Sequence, residues 1–189
     1  VERLTRAAAF LDRDGTLNER PEPHRWVTEA SEFRILPGTV EGLVRLSRCN
    51  LTLVVVSNQR GLTRGAVTEG LLCATEDTLQ GELAPHGVRI ESFYYCPHEV
   101  EADCDCRKPK PGLLMRAAED LALDLSASWM IGDSETDVEA GRAAGCKTLL
   151  LGDHDGGSAT AVADSLPAAA QLVCARQRAT ASNSATSAL

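Results

Sequence analysis

The sequence predicts an α/β domain, a doubly wound Rossmann-like parallel sheet. Short apolar β-like runs recur at residues 7–11, 51–57, 92–95, 129–131 and 148–151. Several are continuous rather than alternating, as in strands covered on both faces. Stretches with helical spacing lie between them, and alternation of this kind builds parallel sheets. At 189 residues the chain suits one domain with a core that needs no disulfide staples.

Taken in order, the run at 7–11 is stopped by Asp12-Arg13-Asp14. Pro37-Gly38 then opens a helix on Val40, Leu43, Val44 and Leu46, ending near Asn50. After the strand at 51–57, Thr68 is a suitable N-cap for a helix carrying Leu71, Leu72, Ala74 and Leu79 and ending near Gly87. The strand at 92–95 is followed, after a loop, by Pro111 in the first turn of a helix with Leu113, Leu114, Ala117, Ala118 and Leu121. The strand at 129–131 leads into a shorter helix over 135–144, closed by Gly145. The strand at 148–151 completes the five. Residues 1–174 make up the domain. Residues 175–189, without an aromatic and dominated by Ala, Ser and Thr, read as a flexible C-terminal tail, the alternative being a poorly patterned last helix turn.

A net charge of −8 argues against a duplex nucleic-acid binder. It leaves room for a phosphorylated substrate met by a few local cations and a metal. The longest clean apolar run, 51–56, is far short of a membrane span. No secretory signal is visible, and seven cysteines without one point to a reducing cytoplasm. A monomer is expected. Cys49, Cys73, Cys146 and Cys174 are scattered and read as ordinary buried thiols.

Ligands in such folds bind outside the carboxyl ends of the strands. Asp12 and Asp14 leave the first strand two residues apart, on one side of it, beside a turn-permitting Gly15. One carboxylate can attack phosphorus while the other serves as general acid and base. The second strand ends in Ser57-Asn58-Gln59-Arg60-Gly61, either a phosphoryl-holding segment or a polar turn. The fourth delivers Gly132-Asp133, with Asp137 four residues on; Asp133 suits a hard cation such as Mg²⁺, or the N-cap of the next helix. Arg107-Lys108-Pro109-Lys110-Pro111 is a stiffened basic segment able to aim one ammonium group, or a solvated loop.

Together, in this order, the four segments resemble the haloacid dehalogenase superfamily of phosphatases. That resemblance implies a sheet ordered 5-4-1-2-3. It implies Asp12 as nucleophile, Asp14 as acid and base, and Ser57 and Lys108 on the phosphoryl oxygens. It also implies catalytic Mg²⁺ on Asp12, Asp133 and the Asp14 carbonyl.

Cys96, His98, Cys104 and Cys106 crowd into one loop. Three thiols and an imidazole suit a closed, structural Zn²⁺ site that anchors Arg107 and Lys108. A redox pair at Cys104 and Cys106, or unpaired buried thiols, are the alternatives. The loop and the Lys108-Pro109-Lys110-Pro111-Gly112 segment resemble the branch holding the heptose-1,7-bisphosphate and histidinol-phosphate phosphatases, which have no large cap domain. So do residues 10–18 and 57–65. The implied reaction is removal of the 7-phosphate of a heptose 1,7-bisphosphate, with histidinol phosphate or another small sugar phosphate as alternative substrate. Asn58, Gln59, Arg107 and the loop at 19–26 are the expected substrate contacts. The chain departs from the branch in that loop, which looks longer. It also departs at Trp26, where Tyr is frequent, at Arg60, where a small residue is usual, and at Ser134, where some members carry Lys.

Overall fold

The computed structural model describes residues 6–20, 26–153 and 157–186, with side chains to residue 179. Of the expected substrate loop, residues 21–25 lie outside the described residues.

The strands are β1 (Ala8–Leu11), β2 (Thr52–Asn58), β3 (Ser92–Cys96), β4 (Trp129–Gly132), β5 (Lys147–Leu151) and β6 (Ala161–Ala163). The helices are α1 (Thr39–Arg48), α2 (Glu69–Leu83), α3 (Gly112–Leu121), α4 (Glu135–Ala143) and α5 (Leu166–Thr186). Every strand pair is parallel, and the sheet runs β3-β2-β1-β4-β5-β6. This is the expected order 5-4-1-2-3 with a sixth strand added beyond β5. No large cap is inserted among the described residues. No helix among them is long and apolar enough to cross a membrane.

The continuous apolar strands are explained by the two faces they fill. In β1, Ala9 and Leu11 join a core with α1, α2 and α5, while Ala8 and Phe10 join a second core with α3 and α4. Side chains alternate along a strand, so a strand buried on both faces has no position left for a polar residue. The polar residues come where β1, β2 and β4 run out of partners, at one edge of the sheet.

Three expectations are corrected. First, β6 was not foreseen: Ala161-Val162-Ala163 is too short and too poor in branched residues to register as a strand. Its approach is held by Thr160, which exchanges hydrogen bonds of 3.0 and 3.1 Å with Thr148. Second, α5 runs on to Thr186, so the segment read as a tail is helical through most of its length, well past the single last turn kept as the alternative. Ala is the best helix former, and the polar residues after Cys174 do not break the turn. Gln177 still donates to the Ala127 carbonyl at 3.1 Å. Third, Cys49 and Cys174 are not free thiols: they form a disulfide between the end of α1 and α5, with Cα atoms 5.7 Å apart. They are 125 positions apart in sequence, and only the packing of α1 on α5 brings them together. Cys73 is exposed rather than buried, whereas Cys146 is buried as expected.

Cross-linking so distant a pair restrains the unfolded chain strongly. Cys49→Ser is expected to cost roughly 2–4 kcal/mol. Thermal melts of the variant and of the reduced parent protein should then coincide, both below the oxidised parent.

Candidate active site

Asp12 continues the β1 ladder, its N–H donating to the Ile131 carbonyl at 3.0 Å. Its side chain is met by Lys108, delivered from the loop after β3. Lys108 is 3 % exposed. Its Nζ donates to Asp12 Oδ1 at 2.7 Å, Asp137 Oδ1 at 2.6 Å and the Val56 carbonyl at 2.8 Å. Burial alone would lower the Lys108 pKa, but the carboxylates of Asp12 and Asp137 outweigh it and raise the value. The ammonium group therefore stays charged. Oδ2 of Asp12 takes no hydrogen bond among the described residues.

Asp137 comes from the first turn of α4. Its Oδ2 accepts from the Ser134 N–H at 3.1 Å and the Ser134 hydroxyl at 2.6 Å, half of a capping box. The helix N-cap is thus Ser134, which leaves Asp133 free to face the site. Gly132 makes this approach possible: a Cβ there would overlap the Asp137 carboxylate.

Asp14 is held by three side chains. Arg13 forks onto it through Nε and Nη2 at 3.0–3.1 Å, Asn18 Nδ2 donates at 3.0 Å, and Gln59 Nε2 donates at 2.6 Å. Arg13 is itself 2 % exposed. Its guanidinium carbon lies 6.0 Å from the ring centroids of both Phe33 and Tyr95. Gln59 Nε2 also lies 3.3 Å from the Ser57 hydroxyl. Ser57 lines the cavity beside Asp12 and Asp14.

Of two expected substrate contacts, Asn58 lines the cavity and Gln59 is turned into the interior. Gln59 is fully buried and joins Asp14 to Ser57. Asn58 clamps the main chain of Lys108, donating to its carbonyl at 3.0 Å and accepting from its N–H at 3.1 Å. Asn58→Ala should therefore lower kcat about tenfold, the worth of one to two lost hydrogen bonds, while KM changes little. Initial rates over a range of substrate concentrations read this split. Arg107 reaches the cavity as expected, with Nη1 donating to the His98 carbonyl at 3.1 Å.

The residues expected to hold Mg²⁺ fit a hard cation. Oxygens of Asp12 and Asp133 lie within 4.8 Å of each other, and Asp137, which was not among the expected ligands, brings a third carboxylate into the same cluster. Positive charge already gathers there: Arg20 Nη2 lies 2.9 Å from the Asp14 carbonyl and 3.1 Å from Asp133 Oδ2. Burial, and then the charge on Asp12, push the Asp133 carboxyl up to about 6, with Arg20 pulling the other way. Such crowding is what a divalent cation relieves.

The loop cluster fits zinc. Bond lengths of about 2.3 Å to sulfur and 2.0 Å to nitrogen set tetrahedral edges of about 3.5–3.8 Å. The three sulfurs and His98 Nδ1 pair at 3.2–3.6 Å. Burial raises the Cys96 pKa, and burial with the adjacent sulfurs pushes Cys106 up to about 12. At Cys104 burial acts the same way, but hydrogen bonds led by that from Cys106 bring the thiol down to about 7. One thiolate forms readily and further ones do not, unless a cation offsets them. Thr63 donates to the Pro97 carbonyl and ties the loop to the end of β2.

The residues around Asp12 line a cavity of about 450 Å³. Asp12, Asp14, Ser57, Lys108 and Asp137 form its floor; Arg20, Trp26, Arg60 and Arg107 stand around its mouth. Sequence reasoning passed over Arg13, Asn18 and Arg20. For Arg13 a signal existed: it is an arginine set between the two aspartates that follow β1.

The HAD-hydrolase-like family model matches residues 105–176. D-glycero-β-D-manno-heptose-1,7-bisphosphate 7-phosphatase of Pasteurella multocida is 41% identical over 150 residues, covering 76% of this chain and 80% of that protein. The enzyme of the same name from Escherichia coli K12 is 38% identical over 151 residues, covering 76% and 78%. Among solved structures, the D,D-heptose 1,7-bisphosphate phosphatase of B. bronchiseptica, complexed with magnesium and phosphate, aligns with a TM-score of 0.81. It is 30% identical and covers 90% of this chain and 99% of that one. A HAD-like phosphatase from Mesorhizobium loti aligns at 0.77, with 28% identity and coverage of 92% and 86%. With the two aspartates that follow β1, the buried lysine and the thiol loop all in place, the chain belongs to the haloacid dehalogenase-like phosphatases, in the branch of the heptose-bisphosphate enzymes.

Proposed function

We propose that the protein removes the 7-phosphate of a heptose 1,7-bisphosphate through a phosphorylated Asp12. The observation that carries this reading is the buried Lys108 bridging Asp12 and Asp137, with the Asp14 carboxylate on the same cavity floor. Oδ2 of Asp12 attacks phosphorus, and the bond from phosphorus to the sugar oxygen breaks. Asp14 gives its proton to that oxygen. In the second step water attacks the phosphoryl group, Asp14 takes the proton from it, and the bond to Asp12 breaks. Lys108 and the Ser57 hydroxyl stabilise the equatorial oxygens, where charge accumulates. Arg13, Asn18 and Gln59 orient Asp14 between its two proton transfers. Mg²⁺, bound by Asp12, Asp133 and the Asp14 carbonyl, would supply the positive charge that offsets carboxylate–phosphate repulsion.

Zn²⁺ held by Cys96, His98, Cys104 and Cys106 is structural in this reading, because four protein ligands leave no open position. A reducing cytoplasm suits those three thiols, and there the Cys49–Cys174 pair would stand reduced. The basic mouth, with Arg60 and Arg107, suits an anionic sugar over cationic histidinol phosphate.

The test is phosphate release, followed by chromatography, from heptose 1,7-bisphosphate, heptose 7-phosphate and histidinol phosphate. Turnover of the first with loss of its 7-phosphate is expected. Faster turnover of histidinol phosphate would overturn the assignment.

A further inference from the structure

The mouth of the cavity holds a cation whose hydrogen-bonding capacity is unused. Glu99 is the acid paired with Arg60, but both of its oxygens are engaged by Arg64, through Nε and through Nη2, the latter at 3.0 Å. Arg60 is left a loose 3.8 Å contact through Nη1. Its guanidinium makes no hydrogen bond among the described residues. Nor is it adrift in solvent: its side chain is 30% exposed, and its guanidinium carbon sits 5.5 Å from the centre of the Trp26 ring. Arg64 shares the same ring, its guanidinium carbon 5.6 Å from the centre, but it is spent on Glu99, whereas a cation–π contact leaves the N–H donors of Arg60 free. Arg60 lines the cavity with Trp26 and Arg107, away from the floor that receives the scissile phosphoryl group.

A planar cation, oriented by a ring and left with unused edge donors, is built for an anion that accepts two parallel hydrogen bonds. The floor accounts for one phosphate of a bisphosphate and leaves the other without a named partner. We propose that Arg60, laid on Trp26, receives the phosphate that is not cleaved and is a specificity-determining residue for doubly phosphorylated substrate. The proposal rests on the bisphosphatase reading above.

Arg60→Ser, Arg60→Lys and Trp26→Leu are to be compared with the parent on heptose 1,7-bisphosphate and heptose 7-phosphate, with KM and kcat determined for each. For Arg60→Ser, KM for the bisphosphate should rise on the order of ten- to a hundredfold, the scale of a lost charge-assisted pair. kcat at saturation should hold, so the bisphosphate-to-monophosphate ratio of kcat/KM falls by the same factor. Arg60→Lys should recover only part of it, lacking the fork. Trp26→Leu should lower the ratio by a smaller factor. An unchanged ratio in Arg60→Ser, or an equal loss on both sugars, would make Arg60 at most a general attractor of anions and overturn the proposal. Equal parent kcat/KM on the two sugars would overturn it too, while leaving the phosphatase reading standing. Hydrolysis of neither sugar would overturn both.

Discussion

Asp12→Asn is expected to lower kcat by roughly four to six orders of magnitude, the scale seen when a nucleophile is removed. Asparagine keeps the shape of the side chain, and its carbonyl can still accept from Lys108 Nζ, now 2.7 Å from Oδ1. What disappears is the attacking anion. The fold should survive. Asp12, Asp133 and Asp137 crowd one another, and the Asp12 charge is part of what pushes Asp133 up to about 6. Removing that charge should move Asp133 back toward its ordinary value, so the melting temperature should change by only a few degrees. Phosphate release and a thermal melt on the same sample test both statements. Activity within a hundredfold of the parent, or a phosphoryl group trapped on another residue, would remove Asp12 from the role.

Cys104→Ser should also have a large effect, and by a different route. A structural zinc site contributes on the order of 10 kcal/mol to a loop with no core of its own. Losing one thiolate should reduce zinc content, melting temperature and kcat together, because Arg107 and Lys108 follow Cys106 directly in the chain. Asn58 and Thr63 would still hold the two ends of the loop, through Lys108 and Pro97, so residual activity is expected. Lys108→Ala separates the effects. It should abolish turnover with zinc retained, yet it should also destabilise the fold, since it leaves the buried carboxylates of Asp12 and Asp137 without their cation. Elemental analysis, melting and turnover on the two variants give the comparison. Full zinc content in Cys104→Ser would count against the four-ligand site.

The candidate site was legible where its residues follow strands directly. Asp12, Ser57 and Asp133 need only the knowledge that parallel strands end at one edge, and Lys108 follows the thiol loop that leaves β3. What escaped depends on which way a side chain turns once its element has packed. Asn58 and Gln59 sit one residue apart at the end of β2, and one clamps Lys108 while the other joins Asp14 to Ser57. Nothing in the run Ser57-Asn58-Gln59 distinguishes those uses from substrate contacts. The Cys49–Cys174 link escaped for a related reason, since the residues belong to the first and last helices and meet only through α1 packing on α5. Arg20 was passed over because its guanidinium reaches Asp133 across 113 positions of chain.

Asp137 carries two duties on its two oxygens, Lys108 on one and the cap of α4 on the other. A replacement that offers no oxygen at all, such as Asp137→Ala, frees Lys108 and removes one half of the cap together. The position therefore lacks the usual separation in which a protein relaxes its chemistry while keeping its fold. A drifting descendant could not lose this carboxylate quietly and remain an intact binding protein. Changing the chemistry at this position therefore weakens the start of α4 unless the new side chain keeps an oxygen for Ser134, which narrows the gradual routes by which such a site could be abandoned.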